Sequence, residues 1–467
     1  MAHAWIEGIA ILPLAWLALA CATPREPVTG GEPPKQVDPK PLDPRALAEY
    51  AGAYRVAADR FVYLQPWIEL GADHLTWFDE SGEVRALSAG AADQFDVGPA
   101  AGVAAPAEAR VTFRRGPGGE IAGFVRRPIR PAGDAPGEAP AAGGDAGPLE
   151  AKRVRLWSET DLTYKNGDVT LAGTLMVPAG GGRHPAMVLV HGSGPLDRGA
   201  ILPFANFLVR RGIALFGYDK RGVGGSTGDW HVASFDALAA DALAAVELLR
   251  ARDDIDPDRV GLFGVSQGGW VGPLAASRSE HVAFVVSVSG PGTTPGVQNL
   301  DHLENELRAY GVDEPGIAEA LALTRLMHAC TRTGAGWDQV EAAVARAQGS
   351  DWFFPELVAP RDHWSYGFLR LVIDYDPVPV LKSVRCPVLA LFGGLDLLVP
   401  AGKNRAIWES ALKAGENRDH SIRLFPAGNH LLWEAGKGTM REMPGLKRFV
   451  PGYADTIREW VLNIVAP

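Results

Sequence analysis

The sequence predicts an α/β protein: a mostly parallel sheet with helices on both faces and a helical insertion, preceded by a small antiparallel β domain. Three observations carry that expectation. From residue 150 onward the runs AMVLVHGSG, IALFGYDKRG, RVGLFGVSQGG, AFVVSVSGPG and PVLALFGGLD are continuous in Val, Leu, Ile and Phe, as strands covered on both faces require. Helical periodicity separates them, most legibly after the N-cap candidate Ser234, where Phe235, Leu238, Ala242, Val246 and Leu249 recur on one face. Residues 45–130 instead give short alternating runs such as HLTWFD, QFDVG, ARVTFRR and IAGFVRR. Turn signals at Glu80-Ser81-Gly82 and Gly116-Pro117-Gly118-Gly119 separate these runs.

The chain begins with an apolar stretch, Ile9 to Ala20, too short to span a bilayer comfortably and the right length for the hydrophobic region of a signal peptide. It runs into Ala18-Leu19-Ala20-Cys21 and resembles a bacterial lipoprotein signal, which implies a lipidated Cys21 and membrane attachment. The preceding MAHAWIEG has no Lys or Arg and carries Glu7, and Ala18 stands where that signal usually has Leu. Ordinary cleavage after Ala20 and a misassigned start codon are the alternatives. Residues 1–21 are thus expected to be a signal peptide, and the protein to be exported, either periplasmic or a membrane-anchored lipoprotein.

Residues 22–44 are rich in proline and charge with almost nothing to bury, and read as a disordered tether. Residues 131–149 read as a Pro/Gly/Ala linker. Between them, residues 45–130 open with a helical pattern, PRALAEYAGAY, before the alternating runs. The spacing of Leu47, Tyr50, Gly52 and Tyr54 resembles the opening of accessory β modules that accompany some secreted serine hydrolases and β-lactamase-like proteins. No residue set in this unit suggests chemistry, so its expected role is structural or ligand-binding.

Composition bounds the rest. A chain of 467 residues is too long for one comfortable core, and two or three units are expected. A formal charge of −10 argues against a nucleic-acid partner. Three cysteines, Cys21, Cys330 and Cys386, make neither a disulfide framework nor a metal cluster, so stability must come from burial.

Residues 150–467 carry the chemistry. After an antiparallel entry pair, VRLWSETDLTYKNG and VTLAGTLMVP, each strand ends in something polar, where sheets of this architecture hold ligands. In chain order these ends are His191-Gly192-Ser193-Gly194, Ser266, Asp396 and His430. The Gly-x-Ser-x-Gly run from Gly264 to Gly268 fits a tight turn as well as a nucleophile when taken alone. A nucleophilic serine needs a base, and the base needs an acid to hold its tautomer, and the chain supplies both after later strands. Asp396 follows PVLALFGGL, whereas the preceding strand ends in Ser289-Gly290 and Asp374 and Asp376 read as exposed or capping residues. His430 follows SIRLFPAGN, whereas His420 precedes that strand at the wrong end of the sheet. His191 reads as ordering its own loop.

Together HGSGPLDR, YDKRGVGGSTG, GVSQGGW, LFGGLDLLVP and GNH resemble bacterial α/β-hydrolases of the group with prolyl oligopeptidase-like, dienelactone hydrolase-like and acyl-CoA thioesterase-like members. The similarity covers nearly all of residues 155–467. It implies an α/β-hydrolase fold with Ser266 as nucleophile, Asp396 as acid and His430 as base. It further implies an oxyanion hole from the backbone N–H groups of Gln267 and Ser193. Gly264 and Gly268 then belong to a nucleophile elbow, where strand and helix approach too closely for side chains. Asp219 and Arg221 read as loop-ordering. Residues at about 291–381 read as a helical cap whose aromatic cluster, Trp352, Phe353, Phe354, Trp364, Tyr366 and Phe368, either lines an acyl pocket or forms the cap's own core.

The expectation is therefore an exported serine hydrolase cleaving a small-molecule ester through an acyl-enzyme, with no metal or organic cofactor. Three alternatives stay open. One is a peptidase acting on short peptides, whose exopeptidase form needs carboxylates such as Glu304 or Glu306 for the substrate amine. The second is an acyl thioesterase, and the third a degenerate hydrolase that only binds ligands or anchors at a membrane.

Overall fold

The computed structural model describes residues 44–66, 75–98, 106–129, 147–201 and 207–464. The signal-like segment with Cys21, the tether up to residue 43 and linker residues 131–146 lie outside the described residues.

A short helix, α1 (Pro44–Ala48), leads into β1 (Gly52–Ala57), β2 (Arg60–Pro66), β3 (Leu75–Asp79), β4 (Val84–Ala89), β5 (Gln94–Gly98), β6 (Ala109–Arg115), β7 (Ile121–Pro128) and β8 (Leu149–Val154). Each strand pairs antiparallel with the next, and β1 pairs with β8 to close a barrel. Inward alternation fills it: Tyr54, Trp77, Phe95, Phe113 and Phe124 pack as tilted and edge-to-face rings.

Two sequence expectations need correction here. The helical pattern PRALAEYAGAY ends at Ala48, because Gly52 turns the chain at a φ of 141° and Tyr54 is a barrel residue whose hydroxyl donates to the Tyr50 carbonyl. The β unit does not end at residue 130. Its eighth strand comes from residues 149–154, beyond the linker, and Gly123 of β7 lies so near it that a Cβ would meet the Ala151 carbonyl at 2.2 Å. An eight-stranded closure leaves no edge, which a strand-by-strand reading cannot foresee.

The second sheet contains β9 (Trp157–Asn166), β10 (Val169–Pro178), β11 (His184–Val190), β12 (Ala214–Tyr218), β13 (Ile255–Val265), β14 (Val285–Val288), β15 (Val388–Gly393) and β16 (His420–Phe425). Their order is β16-β15-β14-β13-β11-β12-β10-β9, parallel from β12 to β16 and antiparallel at β10 and β9. The helices between and after them are α2 (Phe235–Arg250), α3 (Gly268–Ala276), α4 (Pro295–Ala309), α5 (Glu314–Thr333), α6 (Trp337–Ala347), α7 (Trp364–Val372), α8 (Pro377–Ser383), α9 (Ala401–Ala414) and α10 (Tyr453–Ile464). Central β12, β14 and β15 are buried throughout, which accounts for their continuous apolar runs, while edge strand β9 is mostly exposed. From β11 the chain passes to β12 on one side and later to β13 on the other. The ends of β11 and β13 therefore flank the topological switch point, where such sheets open a crevice.

One sheet face is covered by α2, α3, α7, α8 and α9. On the other, α10 and residues around Val209 share the task with the barrel, which contributes Ala53, Phe61, Tyr63, Phe78 and Val84. Phe78 is fully buried and stacks on Phe449 at 6.4 Å between ring centroids. Phe78→Ala is expected to lower stability by about 3–5 kcal/mol, the usual cost of emptying a buried aromatic site, measured as the shift of the denaturant midpoint of the whole chain.

Candidate active site

The turn after β13 is shaped by glycine. A Cβ at Gly264 would lie 2.3 Å from the Gly268 carbonyl oxygen, and one at Gly268 would lie 2.3 Å from that of Val190 at the end of β11. A Cβ at Gly269 would lie 2.2 Å from the Gly290 Cα. With strand and helix so close, the connecting residue is forced into the left-handed region, and Ser266 has a φ of 55°. Its amide donates to the Val288 carbonyl at 2.9 Å, fixing the turn to β14. The next strand end is close: a Cβ at Gly192 would stand 3.8 Å from the Ser266 Cβ.

The turns after β15 and β16 are laced together by the same device. Cβ atoms at Gly393 and Gly394 would strike the Asn429 and Pro426 carbonyls at 2.3 and 2.4 Å, and the Leu395 amide donates to the Gly428 carbonyl at 2.8 Å. Asp396 is 4% exposed, and its Oδ1 accepts from the Leu398 and Val399 amides at 2.9 and 2.8 Å. His430 Nδ1 lies 3.1 Å from Asp396 Oδ1 and 2.9 Å from Oδ2. A carboxylate on Nδ1 fixes the tautomer with the proton there and leaves Nε2 able to accept one. The rejected candidates have other employment. Asp374 pairs with Arg332 at the surface, Asp376 caps α8, and His420 starts β16 with its Nδ1 2.7 Å from the Asn417 carbonyl.

The loop after β11 and the run after β12 face each other. His191 is buried, packs edge-on against Tyr218 at 4.6 Å, and is pushed down to about 3 by burial and by the Lys220 charge. It is a neutral packing group at ordinary pH. Asp219 accepts from both arms of Arg198 and from the Arg198 and Gly225 amides. Burial alone would raise its carboxyl, but those donors hold it below the usual range. Arg221 forks onto Asp241 of α2, which Asn166 also contacts. Both residues order the loop.

Between them lies a residue the sequence reading passed over. Lys220 is 3% exposed, and its Nζ donates to the Gly192 carbonyl at 2.8 Å, the Gly194 carbonyl at 3.1 Å and Gln267 Oε1 at 3.0 Å, with the Trp230 ring 5.3 Å away. Burial pushes it down to about 7. In the sequence it sits in the charged run Asp219-Lys220-Arg221 after an apolar strand, a pattern that reads as a solvated loop.

Helices α4 to α8 lie between β14 and β15. Trp352, Phe354 and Tyr366 are buried in the insertion's own cluster with Phe353 packed on it, whereas Phe368 and Trp364 pack toward the sheet. Trp364 meets Trp230 edge-on at 4.9 Å. The aromatic cluster is thus mainly a core. Glu304 pairs with Arg308 on the surface, while Glu306 is fully buried and accepts from the Met440 amide at 3.0 Å. Gln298 and Asn305 donate to the Leu398 and Leu397 carbonyls, tying α4 to the turn that carries Asp396. An open pocket in this insertion, bordered by Trp337, Val340, Val344, Phe353 and Val358, contains none of Ser266, Asp396 or His430.

Ser266, Asp396, His430, Ser193 and Gln267 all follow the carboxyl ends of parallel strands of one sheet. A family profile described as "Serine aminopeptidase, S33" matches residues 182–328. Esterase EstD of Thermotoga maritima is 28% identical over 315 residues, covering 66% of this chain and 68% of that protein. Quorum-quenching protein AidA of Acinetobacter baumannii is 27% identical over 312 residues, covering 62% of this chain and 95% of its own. Among solved structures, the Pyrococcus furiosus esterase Pf2001 has 17% identity and a TM-score of 0.43 over 66% of this chain and 91% of its own. Residues 182–328 thus match a hydrolase family, and about two thirds of the chain is similar to proteins named as hydrolases.

The buried imidazole has a thermodynamic consequence. Its folded-state pKa of about 3 lies below the ordinary value near 6.5, so between these limits the unfolded chain binds the extra proton. His191's contribution is therefore intact above about pH 6.5 and is lost on acidification toward pH 3, at up to about 1.4 kcal/mol per pH unit. Denaturant midpoints measured from pH 7 to pH 4 should fall less steeply in His191→Gln than in the wild type. His328, pushed down to about 4 by burial and Arg332, adds a parallel slope to both proteins.

Proposed function

We propose that this chain is an exported serine hydrolase that cleaves carboxylic esters through an acyl-enzyme. The observation that carries the reading is the contact of His430 Nδ1 with Asp396, formed between the turns after β15 and β16, in a sheet whose β13 ends in a serine held at φ 55°. Ser266 Oγ attacks the ester carbonyl as His430 Nε2 takes its proton. Asp396, fixed by two backbone amides, orients the ring and stabilises the imidazolium. The negative oxygen of the tetrahedral intermediate is met by the backbone N–H groups of Ser193 and Gln267. The imidazolium protonates the leaving alcohol, and water then attacks the acyl-enzyme by the same relay. The helical insertion at 291–381 serves as a cap that shapes the pocket, and the 45–130 unit, extended by β8, as a structural module. Export rests on the apolar stretch Ile9 to Ala20 and its Ala-Leu-Ala-Cys ending, with anchoring through Cys21 as the membrane-attached form.

The family description of a serine aminopeptidase favours a second reading, a peptidase. An aminopeptidase needs a carboxylate free to hold the substrate's amine. Glu304 is engaged by Arg308 at the surface, and Glu306 is fully buried with its Oε1 on the Met440 amide, so neither is presented at the surface as a free carboxylate. The similarity to a protein named an esterase favours the ester.

A fluorophosphonate probe should label the wild type and not Ser266→Ala; unlabelled wild type in folded form would remove the nucleophile assignment. Asp396→Asn should reduce kcat by about 10⁴-fold, as expected when the imidazole tautomer is lost. p-Nitrophenyl esters should turn over faster than aminoacyl anilides, and the reverse order would favour the peptidase.

A further inference from the structure

Lys220 is a buried ammonium whose three protons are all directed at parts of one structure. Two go to carbonyls of the loop after β11, Gly192 and Gly194, and one to the side chain of Gln267, the residue after Ser266. None of these partners is a carboxylate. A buried charge without a counterion is costly, and burial pushes this one down to about 7. Neighbouring charges are committed elsewhere: Asp219 to Arg198, Arg221 to Asp241, while His191, facing it from the end of β11, is neutral.

The peptide geometry says what the ammonium accomplishes. The Gly192 carbonyl and the Ser193 N–H belong to one planar trans unit and point in opposite directions. Drawing the carbonyl toward Lys220 therefore aims the Ser193 N–H away from it. A cation at the oxygen end also polarises that peptide and makes its N–H a better donor to an anion. Through Gln267 Oε1 the same ammonium holds the other side of the hole.

We propose that Lys220 is the positioning residue of the oxyanion hole, clamping the Gly192–Ser193 peptide and Gln267 so that their amides meet the negative oxygen of the tetrahedral intermediate. The inference rests on the Ser266 reading given above, and its test separates the two.

In Lys220→Met, which keeps the stem beside Trp230 and removes the charge, kcat for a p-nitrophenyl ester should fall about 100- to 1000-fold, the loss seen when one oxyanion donor is removed. KM should change little, because the ground-state carbonyl is hardly charged. Affinity for an alkyl boronic acid, which forms an anionic tetrahedral adduct on serine, should fall in parallel with kcat. A folded Lys220→Met with kcat and boronate affinity within threefold of wild type overturns the proposal. The control is the wild type: if it fails to form the boronate adduct at Ser266, the nucleophile reading falls with it.

Should Lys220→Met not fold, the wild type alone decides. Its ¹⁵Nζ signal, the lysine titrating lowest, should keep its proton to higher pH with boronate bound, since an anion nearby favours the ammonium. An unchanged titration overturns the proposal. His191 stays neutral, and Asp219, held low by Arg198, and Arg198, held high by Asp219, keep their charges across that range, so they do not produce the shift.

Discussion

The near-contact of the β13–α3 turn with the end of β11 governs the rest of the rim. Gly268 sits where any side chain would run into the Val190 carbonyl, and Gly264 where one would run into Gly268 itself. The turn therefore cannot widen, and the residue between has to adopt a positive φ, at a cost on the order of 1–3 kcal/mol for a non-glycine. That cost is tolerable because Val260–Gly264 of β13 and all of α3 are buried, so packing over-determines the turn. The same close approach sets the distance between Ser266 and Gly192, and thereby where an oxyanion between them would lie. Gly393 and Gly394 solve the matching problem across the sheet, letting the Asn429 and Pro426 backbone come near enough for His430 to reach Asp396.

The three charges after β12 show how burial sorts like from unlike. Asp219 and Arg221 each find an opposite partner, Arg198 and Asp241, and both pairs are well-formed forks. Removing one member of such a pair strands the other, so these pairs hold the loop without taking part in chemistry. Lys220, directed between them, finds only carbonyl and amide oxygens. Dipoles satisfy its hydrogen-bonding but do not cancel its charge, which leaves a positive field on the loop that faces Ser266.

Much of the rim is legible in the sequence because the informative residues sit at strand ends. Continuous apolar runs mark β11 to β15, and the residues that end each run lie on the rim by construction. His430 can be told from His420, and Asp396 from Asp374 and Asp376, by that rule alone. Lys220 escapes it because charge-rich loops usually read as solvated, and only packing reveals that the ammonium points inward. The barrel's eighth strand escapes it because LEAKRV pairs across a long linker, and its register is set by β1 and β7 rather than by anything local. Glu306 could not be judged either, since its acceptor role depends on Met440, far along the chain.

The barrel, which carries no candidate chemistry, is nonetheless joined to the segment after His430 by main-chain bonds. Its β3–β4 turn exchanges hydrogen bonds with residues after the histidine: the Val84 amide donates to the Lys447 carbonyl at 2.7 Å and the Phe449 amide to the Gly82 carbonyl at 3.0 Å. That segment in turn bonds the one beside His430, through Glu434 to Arg448 and Val450 to Leu432 at 2.9 and 2.8 Å. Asn429, immediately before the imidazole, completes the series by accepting from the Leu431 and Trp433 amides with its side chain. A long irregular loop after β16 would otherwise depend on its own few contacts, and loops of that kind open at little cost. Here two layers of backbone pairing and the Phe78–Phe449 stack connect it to a closed barrel that has no edge from which to fray. Histidine geometry in this fold is therefore supported from both ends, by the β15–β16 turns on the sheet side and by the barrel on the other.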